Sequence, residues 1–194
     1  DVGVFTSACG ITIYQGDLFP NQYNQVSFVA EPVHNLVHVD KVENNGPMQK
    51  ASRMFEGKEF LTSTDPWFRP VNFYVGPDGA LYVIDYYRKI IEHPEWMSDE
   101  VNNSGELYEG TDKGRIYRIV PKQNSKAPDF IDKKLLDKSN AETLVRNLAS
   151  PNYWWRINAQ RLLVDTKYIS SVPLLEKMIT ESSTGAAPIH ALWT

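Results

Sequence analysis

The hydrophobic period of the chain changes once along its length. Up to about residue 120, apolar and polar positions alternate in short runs broken by turn residues, the pattern of strands that bury one face. Residues 26–31 alternate in this way, and 35–39 follow after a turn predicted at Pro32. Residues 5–9 and 11–14 read as strand-like around Gly10, residues 16–20 as a loop, and residues 50–60 as an outer strand pair turning near Glu56-Gly57-Lys58. Residues 71–75 and 80–86 read as a hairpin through Pro77-Asp78-Gly79, where Pro presets φ, Asp bonds its own backbone and Gly takes positive φ. A polar excursion over 92–113 contains His93-Pro94-Glu95-Trp96, and a last strand is predicted over 114–120.

Beyond a polar linker over 121–134 the apolar positions recur three and four apart. Ser139-Asn140-Ala141-Glu142 has capping-box spacing, and Leu144, Val145 and Leu148 share the face of the helix it opens. Ser150-Pro151 predicts a second helix start. Trp155, Ala159, Leu162 and Leu163 form its stripe, and Leu174, Leu175, Met178 and Ile179 form another that ends at 182–185. Pro188 predicts a fourth helix. The fold class expected is mixed, β then α: strands over 1–120, suited to a propeller or sandwich, and short antiparallel helices over 135–194 that read as the start of an α-solenoid.

Composition narrows the function. Of 194 residues, 42% are hydrophobic and 12% aromatic, with five Trp and ten Tyr, which supplies a sizeable core and surfaces for polar organic ligands. A net charge of −4 offers no basic stripe for nucleic acid. No apolar run is long enough to cross a bilayer as a helix. Cys9 is alone, so an internal disulfide, zinc spacing and a haem-attachment motif are all missing from the sequence. The chain begins at Asp1 without Met and ends in helix-like sequence at Trp193-Thr194, so a fragment of a longer protein is expected.

The densest candidate chemistry precedes the hairpin, where Asp65, Trp67 and Arg69 stand between Pro66 and Pro70. Arg69 either clamps a carboxylate bidentately or pairs with Asp65 as a corner staple. Asp65 is either a turn and pairing residue or an acid, and Trp67 either stacks on a ligand or packs between blades. His34 and Asn35, between two apolar runs, either turn toward a central channel or form a hydrogen-bonded strand end; His34 near neutral pH is a base or donor. His93 with Trp96 reads as surface loop, and Trp154-Trp155 as solenoid core.

Gly16-Asp17-Leu18-Phe19-Pro20, Glu31-Pro32-Val33-His34-Asn35-Leu36-Val37, Asp65-Pro66-Trp67-Phe68-Arg69-Pro70-Val71, Gly76-Pro77-Asp78-Gly79-Ala80-Leu81-Tyr82-Val83 and Ile91-Glu92-His93-Pro94-Glu95-Trp96 resemble the membrane-bound dehydrogenase family of Planctomycetes, Verrucomicrobia and Bacteroidetes. The run from Leu148 to Leu163 resembles the first HEAT-like repeat of that architecture. The resemblance implies a partial β-propeller of about two blades, related to soluble quinoprotein glucose dehydrogenase, then HEAT-like repeats, with a haem c domain downstream as electron acceptor. It implies a sugar or alcohol substrate, pyrroloquinoline quinone as cofactor, calcium held by blades outside this chain, and a periplasmic or envelope-attached parent.

In the glucose dehydrogenases a Lys and two Arg hold the quinone. Hairpin alignment places Arg69 at the second Arg, Trp67 at the first and His34 near the Lys, so one permanent charge of three is kept. The resemblance thus implies catalytic roles for His34 and Arg69 and cofactor contacts for Asn35, Asp65, Trp67 and Arg69. The fragment alone is expected to be inactive and to self-associate through open propeller edges. The alternative is a carbohydrate- or protein-binding propeller and HEAT scaffold without catalysis.

Overall fold

The structure, a computed structural model, describes residues 5–122, 136–182 and 185–194. Strands come first and helices follow, and the two antiparallel sheets are open. The described residues group into two units: one of 5–14, Pro20–Tyr74 and Leu81–Ile119, the other of Gln15–Phe19, Val75–Ala80 and the described residues after Ile119. All but the first two residues of the predicted linker lie outside the described residues.

In the first unit, β1 (Cys9–Ile13), β2 (Val26–Glu31), β3 (Leu36–Asn45) and β4 (Met48–Arg53) pair in that order, and β5 (Leu61–Thr62) also pairs with β3. The second sheet is β6 (Pro70–Val75), β7 (Leu81–Asp85) and β8 (Arg115–Ile119). Alternation buries Val26, Phe28 and Ala30 from β2 and Val37 and Val39 from β3. The Phe28 ring meets Tyr14, Phe60 and Phe73 edge-on or tilted, which joins both sheets in one core. Gly10, at φ +56°, lets β1 lie against β6: a Cβ there would stand 2.3 Å from the Val71 carbonyl oxygen.

Several elements differ from expectation. Residues 5–8 are not strand; β1 runs through Gly10 with an irregular register between Cys9 and Thr12, because the positive φ bends the strand without ending it. The segment over 50–60 is not a strand pair. β4 and β5 each pair with β3 instead, since the two-residue turn Gly46-Pro47 folds β4 straight back onto it. β3 extends six residues past the predicted 39, to Asn45, through half-buried Asp40 and Val42 and a last stretch from Glu43 that is exposed on both faces. The excursion over 92–113 holds a short helix, α1 (Asp99–Ser104), capped by Ser98.

In the second unit, α2 (Ala141–Asn147), α3 (Tyr153–Thr166), α4 (Val172–Glu181) and α5 (Ala187–Trp193) enclose Leu144, Val145, Leu148, Ala159, Leu163, Leu175 and Ala191. Asn140, not Ser139, caps α2, its side chain accepting from the Thr143 amide at 2.9 Å, while the Ser139 hydroxyl turns to Asp137 at 2.6 Å. Asn152, not Ser150, caps α3. The Ser150 and Pro151 carbonyls accept instead from the Arg156 guanidinium at 2.7 and 2.8 Å. Trp154 and Trp155 are only half-buried; their place inside is taken by Arg156, 5% exposed. The Trp155 indole and the Asn152 amide both donate to the Pro77 carbonyl, at 2.9 and 3.2 Å, which fixes the Pro77-Asp78-Gly79 turn. Asp78 does the turn chemistry expected of it, accepting from the Ala80 amide at 3.2 Å.

Candidate functional site

The turn between β2 and β3 carries His34 and Asn35 because Asn35 takes the left-handed conformation, φ 56°, that Asn tolerates better than other side chains. Two side chains hold this turn, its own Asn35 and Arg69 from the entrance to β6. The Asn35 amide donates to the carbonyls of Phe68 and Pro66, the latter at 3.3 Å. Arg69 returns the grip, donating to the Pro32 carbonyl at 2.9 Å and the Val33 carbonyl at 3.4 Å. The same guanidinium donates to the carbonyls of Arg88 at 3.0 Å and Lys89 at 2.8 Å. Burial lowers the pKa of Arg69, partly offset by the charge of Asp85.

His34 therefore stands on a fixed turn. Its Nδ1 lies 3.0 Å from Oε1 of Glu31, a carboxylate that is 0% exposed. The other Glu31 oxygen accepts from the Ser7 amide at 3.0 Å. Among the described residues nothing bonds His34 Nε2, and the side chain is 26% exposed. A carboxylate behind Nδ1 favours the tautomer with its proton there, which leaves Nε2 as an acceptor.

Asp65, Trp67 and Arg69 are brought beside this turn, but Arg69 does not pair with Asp65. Asp65 accepts from the Trp67 amide at 3.0 Å and stands 3.8 Å from the Arg115 guanidinium. Trp67 lies against Tyr87, ring centroids 5.7 Å apart, and Arg115 covers Tyr87 at 3.7 Å. Lys113 sits 5.8 Å from the Trp67 ring. His93 is an exposed loop residue, 3.7 Å from Glu95.

Three residues were not singled out by the sequence. Glu31 ends an alternating strand, where a polar residue gives no sign that it is buried. Asp85 is 1% exposed; its Oδ1 accepts from the amides of Arg69 at 2.8 Å and Tyr87 at 2.9 Å, and its Oδ2 has no partner among the described residues. His38, 6% exposed, stands between Glu59 at 2.5 Å and Asp40 at 3.0 Å, with Arg53 on Glu59 at 2.6 Å. A polar residue within an apolar run was the available signal for Asp85 and His38 alike.

A quinone-type cofactor at this place would need free donors from Arg69 and Asn35. Asn35 has given both of its amide donors, and Arg69 four of its five, to backbone carbonyls, so as arranged they do not fit that role. Among the described residues no group of three or more His, Cys, Asp or Glu is placed to hold a metal ion.

Fold and site together define a strand-then-helix protein with a buried carboxylate behind a turn histidine. The chain belongs to the family described as a domain of unknown function, DUF7133, which matches residues 1–123. No curated protein and no solved structure matches it.

Proposed function

We propose that this chain forms the last blades of a β-propeller and the first HEAT-like repeats of an envelope dehydrogenase that oxidises a sugar or alcohol, and that it contributes His34 as general base. The observation that carries the reading is the Glu31–His34 pair, a buried carboxylate 3.0 Å behind a histidine whose Nε2 is unpartnered among the described residues. Such a nitrogen takes the proton of a substrate hydroxyl, the acidic half of an alcohol oxidation. Arg69 and Asn35 act as positioning residues that hold the turn. The two-electron acceptor, a quinone in the resembled enzymes, would be held by parts of the parent outside this chain, with a haem c domain next in line. Support for the architecture comes from the open antiparallel sheets followed by paired short helices.

The half-buried rings of Trp67 and Tyr87, beside the exposed Lys113 and Arg115, favour a second reading, a carbohydrate-binding propeller without turnover. Titration of the full-length protein with pyrroloquinoline quinone, with and without calcium, followed by dye reduction across a sugar and alcohol panel, separates the two. Turnover supports the dehydrogenase, whereas glycan binding without turnover under every condition selects the binding module.

A further inference from the structure

The outer half of β3 and the whole of β4 make a ribbon with no cover among the described residues. Every residue from Glu43 to Arg53 is exposed, on both faces. A two-stranded ribbon without a buried face is marginal alone. The register fixes what its free edge offers. Asp40 faces Arg53, so Val39 faces Met54, and the Met54 amide donates to the Val39 carbonyl at 3.1 Å. Antiparallel pairs alternate between bonded and non-bonded. Ser52, Lys50 and Met48 thus spend their backbone groups on β3, while Arg53, Ala51 and Gln49 point theirs away from it. Three N–H and three C=O groups stand in a row, with no proline or bulge in the strand.

We infer that β4 is a docking edge for β4 of a second copy of this chain, paired antiparallel about a two-fold axis through Ala51. Only residues of the outward set can bond one another, so the sum of paired residue numbers is even. Of the even registers, only the one pairing Ala51 with Ala51 of the second copy uses all three outward residues. It also sets Gln49 against Arg53 and Lys50 against Ser52, so no like charges face each other across the seam. The neighbouring register would put Lys50 against itself. Within its own sheet Lys50 faces Glu43, and Arg53 is bonded to Glu59 at 2.6 Å, so the charges that usually blunt an edge are matched here. A six-residue seam is small, which makes the dimer weak and concentration-dependent.

The test is sedimentation velocity of the chain over a thousandfold concentration range, with Ala51→Pro and Ala51→Cys. The Ala51 amide points away from β3, so proline there removes an outward donor without cutting the β3–β4 ladder. Wild type is expected to dimerise as concentration rises. Ala51→Pro, melting like wild type, should lose at least tenfold in association. Oxidised Ala51→Cys should give a disulfide-linked dimer, while Lys50→Cys, out of register with itself, should not. A monomer throughout, a dimer unmoved by Ala51→Pro, or equal cross-linking at 50 and 51 overturns the inference.

Discussion

Arg69 donates to the carbonyl of Pro32 at 2.9 Å, so the arginine flanked by prolines grips the turn that carries His34 rather than facing out as a free cation. Its other donors go to Val33, Arg88 and Lys89, which ties the β2–β3 turn to the chain just after β7. Removing it leaves several carbonyls without a donor. Arg69→Ala should destabilise the strand unit by about 3 kcal/mol, given roughly 1.5–3 kcal/mol for a hydrogen bond to a charged group. Arg69→Lys should recover little, because a point charge cannot span the fork. Urea denaturation of the three proteins checks this; a variant as stable as wild type would mean that the guanidinium holds nothing.

Asn35 combines a left-handed backbone with a side-chain clasp, and two substitutions separate them. Asn35→Gly keeps the backbone and loses the clasp; Asn35→Ala loses both. Alanine should therefore be the less stable by about 1 kcal/mol, the cost of a Cβ in that conformation. Equal midpoints in denaturant would show that the turn relaxes out of it.

Gly10→Ala should be among the most damaging single changes in the strand unit. Its Cβ would meet the Val71 carbonyl oxygen at 2.3 Å and the Asn72 Cα at 2.7 Å, both backbone atoms that cannot swing aside. A loss of about 3 kcal/mol or more is expected, the range reserved for overpacking and forbidden backbone. Thermal melting of the variant reads it directly.

The helical unit should carry a pH dependence of its own. His190 Nδ1 lies 2.8 Å from Gln160 Oε1, and Arg156 Nε donates to its Nε2 at 3.3 Å, an arrangement for the neutral ring. Burial, then the Arg156 charge, lowers the His190 pKa below the usual value of 6.5. The unfolded chain then binds more protons than the folded one as pH falls through 6.5, so stability is full above that value and is lost below it, levelling once the folded pKa is passed. His190→Gln can keep both hydrogen bonds without titrating, and should flatten that part of the midpoint-against-pH curve. Parallel curves for the two proteins would show that His190 is not the group responsible.

How much of this could be read beforehand depended on burial. Val26 to Glu31 and the Pro77-Asp78-Gly79 turn were legible because a buried face imposes alternation and a tight turn imposes its residues. The ribbon of β3 and β4 was not, because strands exposed on both faces leave no period. A hydrogen-bonded strand end for His34 and Asn35 and a turn role for Asp65 were among the readings the residues offered, but the partners of Arg69 were not. Arg69 binds carbonyls, which any sequence supplies, and so its partners leave no trace in residue types. Arg156 escaped for the same reason, accepted by the Ser150 and Pro151 carbonyls. Glu31 was hidden because a buried carboxylate at a strand end reads like an exposed one.

The account rests on His34 as a base, and the most direct measurement is kcat of the full-length protein and its His34→Gln variant for sugar or alcohol oxidation with a dye acceptor. The prediction is a loss of roughly 100-fold or more, the usual contribution of a positioned base, with an unchanged melting temperature and unchanged cofactor binding. A His34→Gln protein that turns over like wild type would contradict it, leaving the Glu31–His34 pair as a brace for the β2–β3 turn.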